Sequence, residues 1–139
     1  MTIDLIPLAT VTIGLDPPLV VDGAPNGSRY IAEVSHVALT GDRVNATLKG
    51  RAAADWLTLG ADGTGTIDVR MLLETDDGAL VFVQYHGRID LSPGGDAVAF
   101  AAPRFETGDE RYAWLNKIQA VGKGAFDGSG LVYEWYEVR

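Results

Sequence analysis

Hydrophobic and polar residues alternate in short segments along most of this chain, and glycine or proline separates one segment from the next. Alternation with a period of two places successive side chains on opposite faces of a β-strand. Short strands divided by frequent turn residues, here 17 glycines and 6 prolines, are typical of a β-sandwich or a β-barrel. We therefore predict an all-β fold, a single closed or nearly closed antiparallel β-barrel, in one domain over residues 1–139. The predicted strands cover residues 11–13, 30–39, 44–48, 66–75, 80–90, 118–121 and 131–138.

The most clearly defined element is a hairpin of the strands 66–75 and 80–90. Between these strands, Asp77-Gly78 is a strong signal for a two-residue type I′ turn. A loop of those two residues gives a more apolar, and therefore inner, face with Val69, Met71, Leu73, Thr75, Leu80, Phe82, Gln84 and His86. The outer face then carries Asp68, Arg70, Leu72, Glu74, Val81, Val83 and Tyr85. A longer turn would shift the second strand by one residue and move its side chains to the opposite face.

One short helix is predicted in the C-terminal third of the chain. Thr107 and Glu110 have the spacing of a capping box, and about two helical turns follow, as far as Leu115. Aromatic and polar residues surround this helix, namely Phe105, Tyr112, Trp114 and Asn116. Such a helix either closes one mouth of a barrel and supplies polar groups to a pocket, or it only packs against the strands.

Composition and charge exclude several classes of partner. The chain is 47% hydrophobic and 22% charged, which is typical of a globular protein, and its formal net charge is −8. Binding to nucleic acid depends on Lys and Arg that displace counterions from phosphates, and anionic membrane surfaces attract the same residues. The apolar stretches are shorter than the roughly 20 residues that a membrane-spanning helix needs. We therefore expect neither nucleic acid nor a membrane as a partner.

The chain has no cysteine, which excludes disulfides, thiolate metal sites and cysteine nucleophiles. Asp4 stands near the N-terminus, where a signal peptide would carry basic residues, so the expected location is the cytoplasm. A phosphate-binding loop, a GxGxxG motif after a strand, a nucleophile elbow and an HExxH motif are all absent from the sequence. We therefore expect chemistry without a cofactor. Because an exposed strand edge must be paired, covered or charged, a homodimer is a further expectation.

The two histidines are the first catalytic candidates. His86 lies on the predicted inner face near a barrel rim, and His36 lies in the strand segment 34–37. Imidazole can donate and accept protons near neutral pH. The alternative is that each is an ordinary solvated or hydrogen-bonded strand residue. A metal would need both histidines together with a carboxylate, and the sequence does not bring them together, so no metal site is predicted.

Asp55, which precedes Trp56, is the third catalytic candidate. An aspartate at the start of a strand and against an aromatic wall would have its pKa raised by desolvation, although a turn cap followed by a core tryptophan has the same pattern. Arg70 either belongs to an exposed set of charges or holds a ligand carboxylate with its planar guanidinium. The predicted ligand-binding residues are Trp56, Arg70, Met71, Phe82, Gln84, Tyr112, Trp114 and Asn116.

Four segments of the chain resemble a bacterial family of unknown function, DUF3237. They are residues 54–56, residues 73–81 around the Asp-Asp-Gly turn, Gly87, and residues 103–116 with the sequence PRFETGDERYAWLN. The last segment is the most specific, and the resemblance spans residues 28–138. The resemblance implies a single-domain barrel of lipocalin-like appearance and says almost nothing about activity.

The departures from that family concern the histidines. This chain has Ser35-His36 where the family favours two glycines, Met71 where an aromatic residue is frequent, and Tyr85-His86 near a usual asparagine. Imidazoles in place of small or generic residues suggest a member specialised for proton transfer.

Three functions from different classes therefore remain open. The first is a cofactor-free lyase, isomerase or cyclase that moves protons on a small hydrophobic molecule, with a histidine as base, Asp55 or Tyr112 as acid, and Gln84 or Asn116 polarising a carbonyl. The second is a barrel that binds or carries a hydrophobic ligand without changing it. The third is a structural or interaction protein with a filled core, which a packed interior would support.

Overall fold

A computed structural model describes residues 1–128 and 130–139 of the chain. Within these residues, eleven β-strands and one 3₁₀ helix are present. The strands are β1 (Leu5–Leu15), β2 (Leu19–Val21), β3 (Ser28–Thr40), β4 (Asn45–Leu48), β5 (Ala54–Leu59), β6 (Thr64–Thr75), β7 (Leu80–Asp90), β8 (Ala99–Ala101), β9 (Arg104–Glu106), β10 (Ala120–Phe126) and β11 (Leu131–Val138). The 3₁₀ helix covers Glu110–Lys117 and follows β9. No helix in this described part of the chain combines the length and the apolar character that crossing a bilayer requires.

Eight of the described strands form a closed antiparallel barrel. Around the ring, the order is β6, β5, β3, β1, β11, β10, β8 and β7, and the pairing of β7 with β6 closes it. The short strands β4 and β9 extend the wall at one end, where β4 pairs with β3 and β6 and β9 pairs with β7. β2 pairs with β3. The predicted all-β barrel with one short helix is confirmed.

The hairpin of β6 and β7 has a different register from the predicted one. Thr75 and Ala79 form the last backbone pair, so the loop contains three residues instead of two, and it ends on Gly78 with φ of 92°. The longer loop pairs Asp68 with His86 and places the second strand one residue out of the predicted register. Val81, Val83 and Tyr85 are therefore buried, whereas Leu80, Phe82, Gln84 and His86 belong to the outer surface. Their predicted inward position is wrong for this reason.

The helix closes one end of the barrel. Leu115 is 1% exposed, and the Tyr112 hydroxyl donates a hydrogen bond of 2.8 Å to Oδ1 of Asp77 in the hairpin turn. Asp109, and not Thr107 as predicted, caps the helix, because its carboxylate accepts the Arg111 backbone N–H at 2.9 Å. The Thr107 hydroxyl donates to the backbone carbonyl of Leu80 at 2.7 Å and accepts the backbone N–H of Asp109 at 3.2 Å, just before the helix.

Aromatic side chains fill the middle of the barrel. Trp135 packs edge-on against Tyr85 and Phe105, with ring centroids 5.7 Å and 5.9 Å away. Two glycines on the neighbouring strand make room for the rings of β11. A Cβ atom at Gly122 would lie 2.4 Å from Cδ1 of Trp135, and one at Gly124 would lie 2.5 Å from Cδ1 of Tyr133. These aromatic rings therefore lie directly over bare backbone.

Candidate functional site

A cavity of about 500 Å³ opens at the end of the barrel away from the helix. It reaches the ends of β6 and β7 farthest from their turn, because Ile67 and Ile89 line it, whereas Tyr112 of the helix bonds to the turn itself. Its walls are mostly apolar. The described lining residues are Leu15, Asp16, Pro17, Pro18, Tyr30, Ala32, Asp55, Leu57, Leu59, Ile67, Ile89, Leu91, Ala99, Phe126 and Leu131. The size and the apolar character are those of a small-molecule site.

An irregularity in β3 directs residues of that strand into the cavity. Gly14 pairs with His36 and Leu15 pairs with Val34, so Ser35 is an extra residue, as in a β-bulge. The alternation of buried positions shifts at this point, and both Ser35 and His36 are exposed. Val34 is therefore buried, and Tyr30 and Ala32, on the same face, line the cavity.

Asp55 places a carboxyl group on the mostly apolar wall of the cavity. Oδ1 of its carboxyl group accepts a hydrogen bond from the Asp68 backbone N–H at 3.1 Å. The second carboxyl oxygen has no hydrogen-bond partner among the described residues. Because the side chain lines the cavity, that oxygen is available to a ligand.

The pKa of Asp55 is raised from 3.8 to about 6. Burial is the main cause, since an apolar environment disfavours the charged carboxylate. The hydrogen bond from Asp68 opposes this rise, and the negative charge of the Asp68 side chain adds to it. Trp56, the aromatic neighbour expected to desolvate the acid, points outward and is 39% exposed. The pKa of Asp55 is therefore raised, but the cause is burial in the barrel and not contact with the Trp56 ring.

Two tyrosines behind the cavity complete the site, and neither was among the predicted site residues. Tyr85 and Tyr133 are 2% and 0% exposed, and burial raises the pKa of both phenols, to which the charge of Asp55 adds. Both therefore stay neutral near pH 7. Among the described residues, the Tyr133 hydroxyl has no hydrogen-bond partner of normal geometry. The neighbouring Tyr85 side chain lowers the pKa of Tyr133, but the rise caused by burial is larger. Tyr85 was missed because the predicted register of the hairpin placed it on the outer face, whereas the observed register places it inside the barrel.

The family model for a protein of unknown function, DUF3237, matches residues 3–138. The chain belongs to this family. The resemblance seen in the sequence is thereby confirmed over nearly the whole chain. Among characterised relatives of this DUF3237 protein is the hydroalkoxylation enzyme phnH of Penicillium herquei, which is 28% identical over 106 residues. The match covers 76% of the present chain and 64% of the relative.

Solved structures share the barrel of this DUF3237 protein. A β-barrel-like protein from Acinetobacter baumannii AYE has a TM-score of 0.89 and 29% identity, and the match covers 100% of this chain and 98% of that one. A conserved protein of unknown function from Rhodopseudomonas palustris has the same TM-score at 22% identity, with coverage of 100% and 99%. An enzyme from Penicillium herquei has a TM-score of 0.77 and 23% identity, with coverage of 98% and 93%. The last two similarities show the fold alone.

Of the three predicted catalytic residues, Asp55 is the one on the cavity of this DUF3237 barrel. The His86 side chain is 61% exposed on the outer surface, and its Nε2 lies 3.4 Å from Oδ1 of Asp68. His36 is exposed beside the bulge. The structure therefore does not bring the histidines together with Asp55. Within the described residues, no three His, Asp or Glu side chains form a group that could hold a metal ion.

The predicted ligand-binding residues lie in three other places. Met71 is inside the barrel but 1% exposed and away from the cavity lining. Tyr112 and Trp114 belong to the helical end, where the Arg43 guanidinium stacks 4.5 Å above the Trp114 ring. The others, Trp56, Arg70, Phe82, Gln84 and Asn116, line two grooves of about 430 Å³ each on the outer surface.

Proposed function

We propose that this protein is an enzyme that catalyses proton transfer on a small apolar molecule bound in the barrel cavity, with Asp55 as the catalytic acid and base. One observation carries the proposal, namely a carboxyl group with a pKa of about 6 and a free oxygen on the wall of an apolar cavity. A general acid or base works best when its pKa lies near the working pH. At pH 7, about a tenth of Asp55 would be protonated, so both forms are accessible.

The proposed reaction is the addition of a substrate hydroxyl group across a carbon–carbon double bond of the same molecule. Hydroalkoxylation is the activity named for the relative from Penicillium herquei, and it supports this choice. The Asp55 carboxyl group gives its proton to one alkene carbon, and the hydroxyl oxygen bonds to the other carbon. The hydroxyl proton then passes to the Asp55 carboxylate, which restores the acid. The product is a cyclic ether and an isomer of the substrate, and nothing is oxidised or reduced.

Tyr85 and Tyr133 support the acid in this proposal. Because both phenols stay protonated, they add no negative charge near the Asp55 carboxyl group, with which each interacts electrostatically. Among the described residues, the buried Tyr133 hydroxyl has no hydrogen-bond acceptor of ordinary geometry. Since neither tyrosine lines the cavity, both are positioning residues.

A second candidate function is a barrel that binds or carries a hydrophobic ligand unchanged. The apolar walls favour it, since they would hold such a ligand without any help from Asp55. The third hypothesis, a structural protein with a filled core, is disfavoured by a cavity of about 500 Å³.

The deciding experiment uses apolar alcohols that carry a pendant alkene, incubated with the protein in D₂O. Cyclisation with Asp55 as the acid would place one deuterium on carbon in the ether, because the carboxyl proton exchanges with solvent. Asp55→Asn is expected to lower the rate by about 10² to 10⁴-fold. Asp76→Asn, which removes an equal charge in the hairpin turn at the other end of the barrel, should leave the rate unchanged. Full activity of the Asp55 variant would refute the proposal, and a ligand recovered unaltered would favour the carrier.

A further inference from the structure

The cavity is acidic as well as apolar. Among its described lining residues, the only charged side chains are Asp55 on the wall and Asp16 at the mouth. No lysine or arginine lines it, although the sequence has eleven of them. A carboxylate or phosphate ligand would therefore enter without a basic partner and would meet a buried acid of its own sign, which costs free energy.

The free oxygen of Asp55 is suited to a cationic donor. It is partly buried in apolar surroundings, where the attraction between opposite charges is stronger than in water. Its carboxyl group already accepts one hydrogen bond, from Asp68, which fixes the direction of the remaining oxygen. An ammonium group at that oxygen would make a charge-assisted hydrogen bond while its hydrocarbon part covered the leucine and isoleucine walls.

We infer that the cavity selects its ligands by charge, binding a protonated amine on a compact apolar skeleton at Asp55 and rejecting the carboxylate of the same skeleton. This ligand class deepens the proposed function, since the same cavity and carboxyl group serve both. When an alkene is protonated, positive charge develops on the neighbouring carbon, and an acidic cavity stabilises that charge. An apolar amine should therefore inhibit the cyclisation competitively.

The experiment uses three adamantane derivatives that differ only in their polar group: 1-adamantanemethylamine, 1-adamantanemethanol and 1-adamantanecarboxylate. Their binding is measured by isothermal titration calorimetry at pH 7. The amine is expected to bind at least tenfold more tightly than the alcohol, and the carboxylate at least tenfold more weakly. In Asp55→Asn the preference for the amine over the alcohol should disappear, whereas in Asp76→Asn it should persist.

The pH dependence provides an independent measurement. The titratable groups that line the cavity or act on Asp55 are Asp16, Tyr30, Asp68, Tyr85 and Tyr133, and none of them is basic. The basic group paired with one of them is His86, whose Nε2 lies 3.4 Å from Oδ1 of Asp68 on the outer surface, so the pH series is repeated in His86→Ala. Because Asp55 has a pKa of about 6, it is mostly protonated at pH 5, and the affinity for the amine should fall about tenfold between pH 7 and pH 5. At pH 6, binding should release about half a proton, seen as a difference in heat between buffers of unequal ionisation enthalpy.

Several results would overturn the inference. They are equal affinity for the amine and the carboxylate, survival of the amine preference in Asp55→Asn, and no binding of the amine at millimolar concentration. The proposed function fails separately, when deuterium is not incorporated or Asp55→Asn stays active. Charge-selective binding without turnover would retain the inference and favour a carrier. Turnover without charge selection would retain the proposed function and refute the inference.

Discussion

Oδ1 of Asp55 accepts the backbone N–H of Asp68 at a point where the ladder between β5 and β6 is interrupted. Asp55 pairs with Val69, and regular pairing resumes with Thr58 and Thr66. The carboxyl group thus replaces a backbone acceptor in the sheet. A side chain held in this way has little freedom to rotate, so the barrel wall itself aims the remaining oxygen into the cavity.

The raised pKa of Asp55 should cost stability at neutral pH. The folded protein holds the proton more tightly than the unfolded chain, so stability from this group is present below pH 4 and is lost as the pH rises through about 6. The difference between 3.8 and about 6 corresponds to about 3 kcal/mol at pH 7. Asp55→Asn should therefore be more stable than the natural protein at pH 7.5, less the contribution of the altered hydrogen bond to Asp68.

Urea unfolding at pH 7.5 and pH 4 would measure this effect. The stabilisation by Asp55→Asn should shrink strongly at pH 4, where the carboxyl group is protonated in the folded protein and partly protonated in the unfolded chain. Asp76→Asn is the control, because it removes an exposed carboxyl group in the hairpin turn and leaves Asp55 in place. A difference between natural protein and Asp55→Asn that is constant with pH would contradict the raised pKa.

Gly122 should not tolerate even a methyl group. Its Cβ would lie 2.4 Å from Cδ1 and 2.8 Å from Nε1 of Trp135, so the buried indole or the strand would have to shift. We expect Gly122→Ala to reduce the free energy of unfolding by about 1–3 kcal/mol. Gly108→Ala is the control, because a Cβ there would meet nothing within 4 Å. Chemical denaturation of the two variants compares them directly, and equal stability would contradict the packing.

Filling the cavity should remove binding without unfolding the protein. Ala32 lines the cavity from β3, and its replacement by phenylalanine would extend an apolar ring into that space. Ala32→Phe is expected to weaken binding of 1-adamantanemethanol at least tenfold, with little loss of thermal stability. Calorimetric titration and a thermal melt measure the two effects. Unchanged affinity would mean that the alcohol binds elsewhere.

The histidines should be dispensable. His36 and His86 are both exposed, and the side chain of each lies on the outside of the barrel. The double variant His36→Ala/His86→Ala should therefore keep the turnover rate of the natural protein to within about twofold, since neither imidazole reaches the cavity. Steady-state kinetics at pH 7 measures this, and a hundredfold loss would restore the histidines as catalytic candidates.

The comparison of sequence and structure separates what alternation can predict from what it cannot. Alternation predicts the strands because one face of each strand is buried and the other meets solvent. It does not fix how strands pair, since one additional loop residue at Gly78 exchanged Tyr85 for His86 on the inner face. The extra residue Ser35 likewise moved His36 outward, and no residue type in that segment marks a bulge.

Asp55 could be predicted as a candidate, but the reason for its raised pKa could not. The pattern of an acid beside Trp56 suggested desolvation by that indole, whereas strands distant in sequence bury the carboxyl group. The partners Tyr85 and Tyr133 come from β7 and β11, and their approach depends on closure of the whole ring. Long-range contacts of this kind have no local signal in a single sequence.

The helix fills one end of the barrel, so among the described residues the cavity opens to solvent at the opposite end. Leu115 and Tyr112 close the far side, so a molecule that reaches Asp55 must leave by the way it came, past Asp16 and Phe126. A second molecule therefore cannot reach Asp55 until the first has left the cavity. In the proposed reaction, a newly formed ether would obstruct the next substrate until it had diffused out. Accumulated product would then compete with the substrate, and product release through this opening would limit the rate of the cycle.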